Sequence, residues 1–399
     1  MRAVIAVRRF ESWPASSMTS SSDIPLSLYV HLPWCVRKCP YCDFNSYSMG
    51  NDAPREQYLE ALLRDLEPES ARAGGRELVS VFLGGGTPSV FSPGQIARLL
   101  DGIRAGFSLR ADVEITMEAN PGTVECGDPR GYREAGVNRL SIGAQSFTAA
   151  ALETLGRIHS VDDISRAVDE ARVAGFENIN IDLMYGLPGQ GVKAALFDIE
   201  QAAALQPEHL SWYQLTLEPN TVFHARPPAG LPGQELSMEI QDRGQDRLTG
   251  LGYEQYEVSA WAKDRKRCRH NLNYWSFGDY LAVGAGAHGK ISGPAGIWRY
   301  TKPANPRQFM ATAGEAAELR EVTTEDRLFE FMLNVLRLNA AFSAAQFSAR
   351  TGLAETLLRD RLARPVEKGL IEELPQNSWQ VTAFGRRFLN DLQADFLPD

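Results

Sequence analysis

The sequence predicts an α/β fold: a partial barrel of six parallel strands with their helices, (β/α)6, followed by a smaller and mostly helical domain. From residue 25, short runs rich in β-branched and aromatic residues alternate with longer segments of helical pattern, which is typical of βαβ units. Glycine-rich or polar motifs directly follow most of the short runs, as in parallel folds that bind ligands beyond the carboxyl ends of their strands. A chain of 399 residues is long enough for one large α/β domain and a second, smaller one.

Six segments have the composition of buried strands. They are LSLYVHL (26–32), ELVSVFL (77–83), DVEITMEA (112–119), NRLSIGA (138–144), NINIDLM (178–184) and LSWYQLTL (210–217). Helix-length segments lie between them, among them 55–73 and 93–107, and Pro93 suits the first turn of the second one.

Four of the predicted strands lead into short motifs of glycine and polar residues. These motifs are GGGTPS (84–89), EANPG (118–122), AQS (144–146) and YGLPG (185–189). Because the carboxyl ends of parallel strands meet at one edge, we expect these turns to share a rim with the cysteine-rich loop that follows the first strand. The sequence therefore predicts one ligand site built from several loops.

The chain divides into four predicted parts: a tail over 1–24, the barrel over 25–218, an extension over 219–321 and a C-terminal domain over 322–399. In the last part, LLRDRLARPVEKGLIEEL followed by SWQVT is similar to a winged-helix module. Residues 341–399 carry seven basic and eight acidic side chains. We therefore expect this module to pack or to bind a partner, and not to read DNA.

Composition excludes several classes of function. The formal net charge of -9 argues against a nucleic-acid binder, and no apolar run approaches the roughly 18 residues of a membrane-spanning helix. The five cysteines are odd in number and mostly bunched, which favours a reducing compartment, and we expect a cytoplasmic protein. Residues 1–23 are rich in arginine and serine, and they suit either a plain tail or an organellar transit peptide.

Cys35, Cys39 and Cys42 fall within eight residues, in a C-x3-C-x2-C spacing. A structural zinc site needs a fourth ligand, and the two remaining cysteines, Cys126 and Cys268, are isolated in the sequence. Three thiolates on a four-iron cluster leave one iron without a protein ligand, free to bind a small molecule. The spacing favours the cluster, with zinc as the alternative.

This spacing resembles that of the radical S-adenosylmethionine (SAM) superfamily. Over longer stretches, YVHLPWCVRKCPYCDFNSY, FLGGGTPS, EANP, RLSIGAQSF and IDLMYGLPGQ resemble the family of oxygen-independent coproporphyrinogen III oxidases and their haem-chaperone relatives. The resemblance runs from about residue 25 to the C-terminus, and it implies a TIM-like radical SAM barrel. It also implies that the open iron chelates SAM, and that an electron donor reduces the cluster for cleavage to a 5′-deoxyadenosyl radical.

Position by position, the resemblance implies that Cys35, Cys39 and Cys42 bind a [4Fe-4S] cluster. It implies a further set of SAM contacts. These are Tyr29, Gly85, Gly86, Thr87, Glu118, Gln145, Arg157 and Asp182. In chemical terms, the glycines allow close approach of a ligand and offer unblocked N–H groups to its carboxylate, and Glu118 suits its ammonium group or ribose. Taken singly, the polar residues also fit ordinary strand ends, and Arg157 fits an ordinary helix.

Two features distinguish the haem chaperones from the oxidases. The oxidases carry a fourth cysteine two residues after the third, whereas here Asp43 is followed by Phe44. In addition, HNLNYW at 270–275 resembles the HNxxYW signature of the haem chaperones. Both features favour the chaperones.

The second feature supplies candidate haem-binding residues. A neutral imidazole is a common axial ligand of haem iron, and aromatic rings pack on porphyrin faces, so the candidates are His270, Tyr274 and Trp275. The run KDRKRCR at 263–269 suits haem propionates or an acidic partner. Each feature also has a plainer interpretation, as a structural histidine or a solvated loop. Weaker rival ligands are Cys268 and His288.

The sequence thus predicts a haem chaperone that uses haem, a [4Fe-4S] cluster and SAM, and that delivers haem to an apoprotein. A membrane respiratory enzyme is the acceptor that the family resemblance suggests, and an electron donor for the cluster is a further partner. The alternative is an oxygen-independent coproporphyrinogen III oxidase. A third hypothesis is a radical enzyme with an unrelated substrate.

Overall fold

The computed structural model describes residues 24–50, 53–122 and 127–398. The predicted tail lies outside the described residues up to position 23, and so does Cys126.

The chain contains strands along most of its length. In chain order they are β1 (Leu26–Leu32), β2 (Trp34–Cys35), β3 (Tyr47–Ser48), β4 (Leu78–Gly85), β5 (Leu109–Ala119), β6 (Arg139–Gln145), β7 (Ile179–Tyr185), β8 (His209–Gln214), β9 (Glu254–Glu257), β10 (Ala260–Ala262), β11 (Asp279–Val283), β12 (His288–Gly293), β13 (Gly296–Thr301), β14 (Arg320–Glu321), β15 (Phe342–Ser343), β16 (Ile371–Leu374) and β17 (Ser378–Val381).

Helices alternate with these strands. In chain order they are α1 (Arg55–Ala73), α2 (Pro93–Gly106), α3 (Pro129–Ala135), α4 (Ala149–Thr154), α5 (Val161–Val173), α6 (Val192–Ala204), α7 (Val222–Ala225), α8 (Gln234–Gly250), α9 (Arg269–Trp275), α10 (Pro306–Thr312), α11 (Thr324–Val335), α12 (Ala344–Thr351), α13 (Glu355–Glu367), α14 (Ala383–Arg387) and α15 (Leu389–Ala394).

The six predicted barrel strands are present and parallel, in the order β1-β4-β5-β6-β7-β8. The structure adds a seventh parallel strand, β11, which pairs with β1 in the register Leu28↔Leu281. Antiparallel strands extend the sheet beyond both ends, with β12, β13 and β14 after β11, and with β10 and β9 after β8. Within the described residues the sheet stays open, which confirms a partial barrel.

The barrel strands turn an apolar face to the helices and a polar face to the lumen, because successive side chains of a strand point in opposite directions. In β1, Leu28 and Val30 belong to the same buried core as Leu62 of α1. Ser27 lies on the other face, where its hydroxyl is 2.8 Å from that of Ser80 in β4. The apolar core therefore lies between sheet and helices, and the lumen is left polar.

Local signals in the sequence set the ends of several helices. Ser92 caps α2 in a reciprocal arrangement with Gln95, and Pro93 occupies its first turn. Helix α1 ends at Gly74, whose φ of 61° is left-handed. The predicted bounds of both helices agree with the structure to within a residue.

Buried ion pairs tie the extension to the barrel. The carboxylate of Asp279, at the start of β11, is 2.8 Å from Arg76 and 3.0 Å from Lys290. Lys302, just after β13, lies 2.7 Å from Asp65 of α1. Because these charges are enclosed, each depends on its partner for the stabilisation that water would otherwise give.

The C-terminal part combines helices α11–α15 with a three-stranded antiparallel sheet of order β15-β17-β16. Its own apolar core includes Phe331, Phe347 and Trp379, and this core also contains Phe277 of the extension. The smaller, mostly helical domain with a hairpin is therefore confirmed. Among the described residues, no helix is both long enough and apolar enough to cross a membrane.

Replacing Asp279 with Ala should lower the free energy of unfolding by about 3–5 kcal/mol, because it leaves two enclosed cations without their shared carboxylate. Urea denaturation followed by circular dichroism measures this change. The matched control is Glu134→Ala, which breaks the exposed pair with Arg130 and should leave the midpoint almost unchanged. Equal effects of the two substitutions would contradict the structural role of Asp279.

Candidate functional site

A cavity of about 500 Å³ opens at the carboxyl ends of the parallel strands and continues into the lumen. This volume lies within the range of roughly 300–1,000 Å³ that small-molecule sites occupy. Ten of the residues implied by the resemblance line it. They are Cys35, Cys39, Cys42, Gly85, Gly86, Thr87, Glu118, Gln145, Arg157 and Asp182. Tyr29 does not line the cavity; its ring lies next to Phe82, which does.

The cysteine loop is held at both of its ends. The Tyr47 N–H donates to the Pro33 carbonyl at 2.8 Å, so that β2 and β3 pair in parallel on either side of the loop. The ring of His31, at the end of β1, bonds to the Asn45 carbonyl through Nε2 (2.9 Å) and to the Tyr29 hydroxyl through Nδ1 (3.0 Å). The loop is therefore anchored to the first barrel strand.

The three thiols line the same cavity, and none of them forms a disulfide within the described part of the chain. In the part of the chain that the structure describes, no group of three His, Cys, Asp or Glu side chains has metal-binding geometry. Arg157 donates a hydrogen bond to Cys39 Sγ at 3.5 Å and so places a positive charge beside that sulfur. Burial raises the pKa of the Cys42 thiol. As a donor set, three thiols on one cavity-lining loop fit a [4Fe-4S] cluster with one open iron.

The glycine turn differs from our expectation. The N–H groups of Gly85, Gly86 and Thr87 are not free for a ligand carboxylate: they donate to Glu118 (3.0 Å), to the Leu32 carbonyl (2.8 Å) and to the Trp34 carbonyl (2.8 Å). For Gly85 and Gly86, the expectation of unblocked N–H donors is therefore wrong. The turn uses its backbone groups to hold the cysteine loop.

Steric packing explains two of these glycines. Gly85 has a φ of +116°, and a Cβ there would lie 2.4 Å from the ring of His31. A Cβ at Gly86 would lie 2.7 Å from the backbone of Pro33 and Trp34. Any larger residue would displace the backbone that leads into the cysteine loop.

The carboxyl groups of Glu118 and Asp182 both face the cavity. Burial raises the pKa of Glu118 to about 7, with nearby Asp182 adding to the rise and the Gly85 N–H opposing it. Burial also raises the pKa of Asp182, although Ser141 (3.2 Å) and Asn180 (2.7 Å) donate hydrogen bonds to it. Glu118 therefore titrates near neutral pH.

Arg157 and Gln145 belong to a hydrogen-bonded wall. Arg157 donates to Asn120 Oδ1 at 2.5 Å and to the Gly143 carbonyl at 2.8 Å. Gln145 ends β6 with a left-handed φ of 70° and accepts a bond from the Tyr213 hydroxyl at 2.8 Å. A left-handed non-glycine residue at a strand end is a strained conformation that often accompanies a ligand site.

Several cavity residues were missed by sequence reasoning. Asn120 belongs to the EANPG motif but was not singled out, and Tyr213 faces inward from a predicted strand. Arg139 and Ser141 share the inward face of β6 with Gln145, since their positions differ by even numbers. The alternation along RLSIGAQ was the signal that could have found them.

The structure divides the HNLNYW motif between two places. His270 lies inside the barrel, where its Nδ1 is 3.2 Å from the Ser80 hydroxyl and its ring centroid is 4.9 Å from that of Phe82. Burial lowers the pKa of His270 to about 3, so the imidazole is neutral. Its neighbour Asn271 lines the luminal cavity.

Tyr274 and Trp275 lie instead in a groove of about 510 Å³ beside helix α11. Arg299, Arg320 and Arg337 also line this groove, and the guanidinium of Arg337 lies 4.3 Å from the centroid of the Trp275 ring. The motif therefore does not form one ligand-binding cluster.

The remaining haem candidates are engaged elsewhere. In the basic run, Arg267 pairs with Glu254 (3.2 Å) and Arg269 with Asp112 (2.8 Å). Cys268 is buried, and burial raises the pKa of its thiol to about 12. His288 is exposed, and its Nδ1 is 3.1 Å from the Thr301 hydroxyl.

Two family models match the sequence. That of the Radical SAM superfamily matches residues 29–200, and that of the HemN C-terminal domain matches residues 322–388.

The chain is also similar to whole proteins over most of its length. It is 49% identical over 376 residues to the heme chaperone HemW of Escherichia coli (strain K12), covering 94% of this chain and 99% of that one. It is 36% identical over 380 residues to the heme chaperone HemW of Bacillus subtilis (strain 168), covering 93% and 99%. The solved structure of the radical SAM enzyme coproporphyrinogen III oxidase (HemN) from Escherichia coli matches with a TM-score of 0.79 at 26% identity, over 94% of this chain and 90% of that one. The predicted resemblance and fold class are confirmed.

Replacing Cys39 with Ala should abolish the broad visible absorption and the bound iron and sulfide of anaerobically reconstituted protein, because the loop then offers two thiolates. Cys268→Ala is the matched control, since that buried thiol lies outside the cavity. Full iron occupancy in the Cys39 variant would contradict the ligand assignment.

The raised pKa of Glu118 predicts a pH dependence of stability in the ligand-free protein. Between about pH 4.3, where an unfolded glutamate titrates, and the folded value of about 7, the folded chain holds more protons than the unfolded one. Stability from this group is therefore lost as the pH rises through that window. Urea unfolding measures this effect. The free energy of unfolding of Glu118→Gln, relative to that of the unsubstituted protein, should rise as the pH increases through the window. A constant difference between the two would contradict the shift.

Proposed function

The chain belongs to the HemW family within the radical SAM superfamily, and we propose from this membership that it binds haem and transfers it to an acceptor protein. The observation that carries the proposal is the 49% identity to a protein named heme chaperone over 94% of the chain. The identity to the solved oxidase is 26% over the same share.

The proposal includes a [4Fe-4S] cluster and SAM in the luminal cavity. Cys35, Cys39 and Cys42 would hold the cluster, and such a cluster supplies one electron to the sulfonium of SAM. Arg157 donates a hydrogen bond to Cys39 Sγ and so places a positive charge beside this proposed ligand sulfur. Glu118, tied to the Gly85 N–H, has a second carboxylate oxygen for a cationic or hydroxyl group of the ligand.

For haem, the groove at Tyr274 and Trp275 has the more suitable chemistry. Aromatic rings can pack on a porphyrin, and Arg320 beside them can pair with a propionate. Arg299 and Arg337 already pair with Glu330 (2.8 Å) and Glu257 (3.3 Å). The indole N–H of Trp275 is buried and has no hydrogen-bond partner among the described residues. His270 faces the barrel lumen, and we therefore assign it no iron-ligating role in this groove.

The oxidase is the second candidate, because the solved oxidase shares this fold along 94% of the chain. Phe44, which stands where the oxidases have a fourth cysteine, lines the mouth of the cavity with 58% of its surface exposed. An apolar side chain cannot replace a thiolate, so this position favours the chaperone. The proposal also includes a cytoplasmic location, an electron donor and a haem-accepting apoprotein such as a membrane respiratory enzyme.

Titration of the purified protein with haemin should give a shift of the Soret band that saturates near about one haem per chain. Trp275→Ala should weaken the affinity by about tenfold or more, because an aromatic contact at a ligand is lost. Phe384→Ala removes an exposed aromatic ring outside the groove and serves as the matched control. No saturable shift in the unsubstituted protein would overturn the chaperone proposal.

His270→Ala separates the two possible haem sites. We expect unchanged haem affinity, since the imidazole bonds to Ser80 within the lumen. Loss of binding in this variant together with normal binding in Trp275→Ala would move the iron to the lumen.

The oxidase alternative requires its own assay. Anaerobic incubation of reconstituted protein with SAM, a reductant and coproporphyrinogen III should yield no protoporphyrinogen. Sustained product formation would favour the oxidase.

A further inference from the structure

Arg139 is a charged side chain in the deepest part of the luminal cavity. It begins β6, whereas Gln145 ends the same strand near the cysteine loop. Six residues of strand separate the two by about 20 Å. Arg139 therefore lies at the floor of the cavity, far from the thiols at its mouth.

The guanidinium of Arg139 is buried, but not all of its N–H groups have hydrogen-bond partners. The residue is only 2% exposed and lines the cavity. Its Nε has no hydrogen-bond partner, and none of the ion pairs in the described part of the chain includes it. Other enclosed cations differ in this respect: Lys290 lies 3.0 Å from Asp279, and Lys302 lies 2.7 Å from Asp65.

Glu114 and Asp182, the two carboxylates whose charges act on Arg139, already have other partners. Oε1 of Glu114 accepts the backbone N–H groups of Arg269 (2.9 Å) and His270 (3.3 Å) at the start of α9. Both oxygens of Asp182 accept bonds, from Ser141 and Asn180. These carboxylates supply a compensating field without occupying the donors of Arg139.

This field also restricts the charge of any ligand. A guanidinium presents a planar fork that matches a carboxylate, and enclosed N–H groups require a partner. A dianion such as phosphate would place two negative charges near Glu114 and Asp182, which is unfavourable. Of the anions that match this fork, a single carboxylate adds one negative charge beside Glu114 and Asp182 where phosphate would add two.

We propose that the floor of the cavity is a second ligand site, in which Arg139 binds the carboxylate of a small monocarboxylate and Asn271 of the HNLNYW motif forms the adjacent wall. The site is distinct from the cluster end of the cavity and from the groove at Trp275. It does not depend on the proposed haem transfer.

Saturation-transfer difference NMR on the full-length protein, with sodium propionate as the probe, tests the proposal. Propionate should give a saturable signal, and propionamide, which has nearly the same shape but no charge, should give none. Arg139→Gln should weaken propionate binding by about tenfold or more, since a charge-assisted bond is lost. Arg139→Lys keeps the positive charge but lacks the planar fork, so its affinity for propionate should lie between those of the unsubstituted protein and Arg139→Gln. Arg130→Gln, on the exposed surface of α3, is the matched control and should bind as the unsubstituted protein does.

Absence of saturable propionate binding in the unsubstituted protein would overturn the proposal, as would equal binding of propionamide. Unchanged binding in a folded Arg139→Gln protein would also overturn it. The propionate and propionamide comparison needs no variant, so it remains decisive if loss of Arg139 prevents folding. Haemin titration of the same preparation shows separately whether the proposed function holds.

Discussion

The site depends on one constraint: buried carboxylates that face the lumen of a parallel barrel need hydrogen-bond donors from the strands around them. Burial without such partners would be costly, because the lumen replaces water with protein. Asp182 of β7 receives bonds from Asn180 and from Ser141 of β6, and Glu118 of β5 receives the N–H of Gly85 in β4. The bonds that satisfy the site therefore also join adjacent strands. A slip of one residue would turn the apolar face into the lumen and break the register and the site together.

Helix α9 separates the two spaces that the function would use. Its first residues are held from inside the barrel, because Glu114 accepts their N–H groups and Ser80 contacts His270. Its last residues form the groove on the outer side. The HNLNYW motif therefore contributes residues to two separate spaces, the barrel lumen on one side of α9 and the groove on the other. This explains why the histidine and the two aromatic residues of the motif do not converge.

Much of the fold was predictable from sequence because the strands are short apolar runs with distinct turns after them. The residues of the cavity mouth were predictable for the same reason, since motifs that follow parallel strands share an edge. Strand β11 was not predicted, because its partner β1 lies about 250 residues earlier in the chain, and such long-range pairing leaves no local pattern. The donors of the glycine turn and the inward position of His270 depend on tertiary contacts, so residue types alone could not place them.

Strand β11 has a consequence for how the protein can be divided. The match to the superfamily ends at residue 200, yet β1, which leads into the cysteine loop, pairs on one side with β11 at residues 279–283. A fragment cut after the six-stranded unit would leave β1 as an open edge with unpaired backbone groups, which are templates for aggregation. The segment that contains the six parallel strands and the cysteine loop is thus not expected to fold well by itself. Fusion or truncation designs must retain the chain through Val283 and its neighbours to keep the first strand covered.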